Sequence, residues 1–208
     1  MSEIQVGRLL RANSRGCVAG CQVSQQPPAF GSMVNIKTDQ IDIAYGLITN
    51  IHIDDDGLVR QLSVSGDLPE EIIQDNRMNR NVPLELSVAF IGYMAGGKVF
   101  HALPPRPPLS LVGMASCSDA EICAFTGSGR FAYLRHLLGV EDIPPADLIA
   151  AHFMQAARAQ QAAGNTAWIR SAVRAAVQLL RDNYDQLSAV LMACGGIFDA
   201  DVHEERES

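Results

Sequence analysis

The first half of the chain is written in a short period. In Ile48-Thr49-Asn50-Ile51-His52-Ile53 apolar and polar side chains alternate, the pattern that sets one face of a strand on a core and the other outward. Asp56-Gly57 then offers the left-handed backbone of a tight turn before Leu58-Val59-Arg60-Gln61-Leu62, so a hairpin is predicted here. Runs of the same kind, rich in β-branched residues, predict strands over 5–12, 17–23, 33–37, 45–54, 58–65, 84–93, 98–102 and 109–115. Turn residues separate them: Asn13-Ser14-Arg15-Gly16, Pro27-Pro28, Asp54-Asp55-Asp56-Gly57 and Gly96-Gly97. Residues 68–82 read as a short helix or a long loop. The proline run over 104–108 is an extended, stiff path into the last strand. Many short strands with close turns favour a sandwich or a barrel, and a closed antiparallel barrel leaves no exposed strand edge.

After Cys117 the period lengthens. Ser118 stands three residues before Glu121, the spacing of a capping box, and Gly127-Ser128-Gly129 stops the helix it starts. A second short helix is expected over 131–138. Pro144-Pro145-Ala146-Asp147 suits a helix N-terminus, because proline there removes an amide that has no partner in any case. Leu148, Ile149, His152, Phe153 and Ala156 then share one face. Beyond Gly164, Ile169, Ala172, Val173, Ala176, Val177 and Leu180 form another apolar stripe, which Tyr184, Leu187, Leu191 and Cys194 extend. These stripes can fold back on the barrel, pair with each other or meet a partner; the alanine pairs 150–151, 156–157, 162–163 and 175–176 favour a helical hairpin. The fold class is therefore α+β: a small closed, antiparallel-rich β-barrel over 1–117, a helical domain over 118–198, and an acidic tail over 199–208.

Composition narrows the function. With 208 residues and 48% hydrophobic content the chain has enough material for a proper core. Its 23 acidic and 16 basic residues give a formal charge of −7, which argues against direct nucleic-acid binding through a basic surface. No stretch reaches the length of a membrane span, and Met1-Ser2-Glu3 lacks the layout of a secretory signal, so a cytoplasmic protein is expected. Cys17, Cys21, Cys117, Cys123 and Cys194 make an odd set of 5, read as reduced thiols.

Catalytic templates fit poorly. Ala124-Phe125-Thr126-Gly127-Ser128-Gly129-Arg130-Phe131 echoes a phosphate loop, but Ala124, Arg130 and Phe131 stand where glycine, lysine and a hydroxyl residue are needed. Cys17 and Cys21 have no second pair at zinc spacing. His52, His101, His136, His152 and His203 are dispersed, and His152 lies on an apolar helix face, the place of a core histidine. The triplet Asp54-Asp55-Asp56 reads as a solvated hairpin tip rather than a cation site. Ser116 and Ser118 lack a nucleophile elbow. No enzyme activity, metal or cofactor is therefore expected.

Three phrases carry a resemblance: Val6-Gly7-Arg8-Leu9, then Gly31-Ser32-Met33-Val34-Asn35-Ile36, then Tyr45-Gly46-Leu47-Ile48-Thr49-Asn50-Ile51. With the proline-rich stretch and Leu111-Val112-Gly113-Met114-Ala115, residues 4–115 resemble the HAS-barrel family. That family comprises the N-terminal barrels of HerA-type DNA-translocating ATPases and of F-type ATP synthase subunits. Gly7, Gly31 and Gly46 are its structural barrel glycines here, at strand starts or bends. The resemblance implies barrels that pack side by side as a crown and offer a docking surface, while the motor domain that follows in the ATPases is replaced by helix and tail. The expected function is a non-catalytic adaptor or regulatory subunit for a protein partner, a HerA-like ATPase ring in DNA processing. Alternatives are a small-molecule or nucleotide sensor using the barrel mouth, an enzyme of unrecognised type on a split barrel, and self-assembly into a homo-oligomer through the helices. The contact surface is expected at Arg60 and Gln61 and at Arg158, Arg170 and Arg174.

Overall fold

Alternation becomes a barrel wall wherever its apolar half points to a common centre. The computed structural model describes residues 5–21, 27–39, 41–53, 62, 64–66, 69–78, 84–141 and 143–195, and these hold seven strands, β1 (Gln5–Ala12), β2 (Gly16–Cys21), β3 (Met33–Lys37), β4 (Ile43–Ile53), β5 (Leu84–Ala95), β6 (Lys98–Phe100) and β7 (Gly113–Ser116), of which all but β6 build such a wall. The order β2-β1-β7-β3-β4-β5 is closed by β2 pairing with β5, which makes a six-stranded antiparallel barrel; β6 extends β5 as a hairpin. Helix α1 (Glu70–Met78) connects β4 to β5. The inward side chains are small and aliphatic: Val6, Leu9, Cys17, Ala19, Val34, Ile36, Ala44, Ile48, Leu86, Val88 and Met114, with Phe90.

On β3 and β4 the alternation gives way to unbroken burial. Outward-facing Met33, Ile43, Tyr45 and Leu47, with Ile91 of β5, lie beneath helices and belong to a second core. Those helices are α2 (Asp119–Thr126), α3 (Leu134–Leu137), α4 (Pro145–Ala162), α5 (Trp168–Leu180) and α6 (Tyr184–Ala193). The capping box holds: the Glu121 amide donates to Ser118 Oγ, and the Ser118 amide donates to the Glu121 carboxylate at 2.8 Å. Pro145 opens α4. Asn183 caps α6, accepting from the Gln186 amide, so the stripe beyond Leu180 is a separate helix rather than an extension of α5. The helices pair with one another and fold back on the barrel together: α4 packs against α2, α5 and α6, and Phe125 of α2 and Phe153 of α4 share one core with Tyr45 and Leu47 of the barrel wall.

Three expectations shift. Of the strand expected over 58–65, residues 58–61 and 63 lie outside the described residues, and 64–65 form a turn; the described length of β4 pairs instead with β3 and β5, ending at Ile53 opposite Leu84. The last barrel strand starts at Gly113 rather than 109, since Leu111 sits at a φ of 68° that no strand tolerates. The helix expected over 131–138 begins at Leu134, because Gly129, Arg130 and Phe131 have φ of 58°, 50° and 61° and form a left-handed turn.

Candidate functional site

Barrel and helices are joined by a string of rings. Tyr45 on the barrel wall meets Phe125 of α2 at 5.0 Å, Phe125 meets His101 at 4.7 Å, His101 meets the edge of Tyr133 at 5.0 Å, and Tyr133 meets His152 of α4 at 5.4 Å. Polar atoms in this string are matched in part. His101 Nε2–H donates to the Phe125 carbonyl at 3.1 Å, beside Ser128 Oγ, which donates to the same oxygen at 2.8 Å. The Tyr133 hydroxyl and His152 Nε2 share a hydrogen bond of 3.0 Å. Among the described residues, Nδ1 of both histidines is buried without a hydrogen-bond partner.

Burial holds these histidines neutral. It lowers His152 from 6.5 to about 4, and lowers His101 and His136 against the opposing pull of the Phe125 and His101 carbonyls. Desolvation raises the Tyr133 phenol as well. The left-handed turn is the device that closes the string. Gly129 faces His101 so closely that any Cβ would strike the imidazole, while Phe131 packs on Trp168 at 5.6 Å. Two non-glycine residues in left-handed geometry cost roughly 1–2 kcal/mol each, offset here by that packing.

His101 also starts the proline-rich segment. Its carbonyl accepts from Arg135 Nη2 at 2.7 Å and from His136 Nε2 at 3.4 Å, fixing the segment to α3. At its far end the segment is tied to β1: the Leu111 amide donates to the Leu9 carbonyl at 2.7 Å, Arg8 Nη1 to the Leu111 carbonyl at 3.1 Å, and Ser110 Oγ to the Leu10 carbonyl at 3.1 Å. Between these anchors large apolar side chains face outward. Leu109 is 72% and Leu111 69% exposed, beside half-exposed Leu10 and Leu103. Leu109 and Leu111 are thus held outward on a backbone that is tied at both ends and, at Leu111, in left-handed geometry.

Beside Leu103 a cleft of about 540 Å³ opens between the outer barrel wall and the segment after α3. Arg11, Arg15, Arg135 and His136 line it. Arg11 pairs with Glu85 at 2.9 Å, and Arg15 crosses to the Gly139 carbonyl at 2.6 Å and to Glu141 at 3.5 Å.

The glycines singled out from the sequence sit where backbones approach. A Cβ on Gly7 would meet the Gly20 carbonyl, and one on Gly46 the Val88 side chain, each beside a register shift in its strand. Gly31, at φ 77°, abuts Ala151 and the His152 amide on α4, so it marks the barrel–helix junction more than the barrel itself. Arg60 and Gln61 lie outside the described residues. Arg158 on α4 and Arg170 and Arg174 on α5 are exposed, and none of them lines the cleft.

Cys17 and Cys21 point into the barrel, where burial pushes Cys17 up to about 12. The phosphate-loop echo forms the end of α2 and the left-handed turn, not a loop between a strand and a helix. Among the described residues no group of three or more His, Cys, Asp or Glu side chains is placed to hold a metal, and no described helix is long and apolar enough to cross a membrane. In the sequence Leu109 and Leu111 read as strand, which hides their exposure, and only the fold brings Arg135 to Arg11 and Arg15. No protein-family model and no curated protein matches the chain.

Proposed function

We propose that this chain is a non-catalytic docking subunit that binds a protein partner through the face formed by β1 and the 103–111 segment. One observation carries the reading: Leu111 is held at a φ of 68° by hydrogen bonds at both its amide and its carbonyl, with its side chain 69% exposed. A strained backbone that keeps an apolar side chain in water gains its return when that side chain is buried by something else. The resemblance of residues 4–115 to the HAS barrels, whose crowns pack side by side, supports a HerA-like ATPase ring as the partner, with this chain as adaptor or regulator. That assignment of partner rests on analogy of fold.

Co-elution of the purified chain with the HerA-like ATPase of its own organism tests it. A stable complex is expected, weakened at least tenfold by Leu109→Asp with Leu111→Asp, a pair too exposed to unfold the barrel. Failure to co-elute would remove the ATPase as partner; a complex indifferent to both substitutions would remove this face.

A further inference from the structure

We infer that the cleft between the β1–β2 hairpin and the segment after α3 binds a small phosphate monoester. The chain carries a formal charge of −7, yet this concavity is lined by two arginines of the β1–β2 hairpin, Arg11 and Arg15, and by Arg135 of α3. Among the described residues their countercharges fall short. Glu85 answers Arg11, and Glu141, 84% exposed, answers Arg15 at 3.5 Å, a contact that solvent screens heavily.

Among the described residues no carboxylate pairs with Arg135. Among the described residues its one hydrogen bond is the 2.7 Å contact with the His101 carbonyl, and that carbonyl belongs to a residue locked in the ring string. The guanidinium is therefore oriented in advance, with most of its five N–H groups turned to other uses. A dianion with three terminal oxygens is the ligand that matches several forked donors at once. Leu103 and Val140 line the same cleft, leaving an apolar wall for the organic part of a monoester. The volume, about 540 Å³, falls in the range of small-ligand sites, roughly 300–1,000 Å³. Arg15, which donates to the Gly139 carbonyl, lines the same space.

Calorimetric titration of the whole chain at low salt with adenosine monophosphate, inorganic phosphate and citrate tests the site. The nucleotide is expected to bind most tightly. Arg135→Gln should weaken it roughly tenfold, the loss of a charge-assisted hydrogen bond. Glu141→Gln should tighten it roughly two- to threefold, since a competing exposed carboxylate is gone. This second variant, at a solvated position, keeps the fold whatever Arg135→Gln does to it. A neutral Leu109→Ser, Leu111→Ser pair should leave affinity unchanged, which separates this site from the docking face. Equal binding of citrate would overturn the phosphate assignment, equal binding of inorganic phosphate would overturn the monoester, and indifference to Glu141→Gln would overturn the cleft as the site.

Discussion

The two cores of this molecule bury their surface by different chemistry. Inside the barrel the buried side chains are aliphatic and small, with Phe90 the one aromatic ring among the described residues. Between barrel and helices the core holds Tyr45, Phe125, Tyr133, Phe153 and Trp168, and threads buried His101, His152, Thr126 and Gln160 among them. Gln160 donates to Thr126 Oγ1 at 2.9 Å and to the Cys123 carbonyl at 3.2 Å, and Trp168 Nε1 donates to the Thr126 carbonyl at 3.2 Å. An aliphatic core tolerates small repacking as long as volume is kept. A core with paired polar atoms accepts one arrangement and charges heavily for others. Paired polar atoms and titration therefore sit on the helical side, while the barrel interior supplies an indifferent frame.

The sharpest way to break this contrast is at the seam. Gly31 combines a φ of 77° with a neighbour, Ala151 Cβ, that a new Cβ would approach to 2.6 Å. Gly31→Ala adds backbone strain to overpacking, together about 4 kcal/mol. A urea midpoint should show it, with the loss following the helical layer. A cost under about 1 kcal/mol would mean that α4 rides loosely on the barrel and that the two cores are not coupled.

Next comes pH. The folded chain accepts His152 only as neutral imidazole, with its proton affinity lowered to about 4, whereas the unfolded chain protonates it near 6.5. The unfolded state binds more protons between those values, so stability is complete above about pH 6.5 and falls as pH drops towards 4. The shift corresponds to a loss on the order of 3 kcal/mol. His101 and His136, lowered in the same direction, add to it. In His152→Leu the slope of the urea midpoint between pH 7 and 4 should flatten, at a modest cost at neutral pH from the stranded Tyr133 hydroxyl. An unchanged slope would place the titration elsewhere and cut the polar core out of the comparison.

The same contrast explains what was legible in the sequence. β1 and β3 were placed to the residue because alternation and turn chemistry act locally. Ser118 with Glu121, and Pro145, announced two helix starts for the same reason. The helical core left no such trace. Arg130 and Phe131 carry no local preference for left-handed geometry; the turn is imposed by Trp168 and by His101, residues far away in the chain. Nor does any motif announce the cleft, whose arginines come from positions 11, 15 and 135. Leu111 misled for a related reason, since a leucine after a proline run reads as strand until its ties to Arg8 and Leu9 bend it.

That leucine supplies the smallest effect and the most telling one. Its side chain is 69% exposed, so Leu111→Gly removes little packing. Glycine adopts a φ of 68° without the clash of a Cβ, and the relief, less the greater freedom of glycine in the unfolded chain, should raise stability by about 1 kcal/mol. A docking face predicts the opposite sign for binding: the more stable variant should hold the proposed ATPase partner less well. If Leu111→Gly were instead both less stable and equally good at binding, the leucine would be contributing to the fold of the segment itself. The strain would then belong to the frame rather than to the contact face.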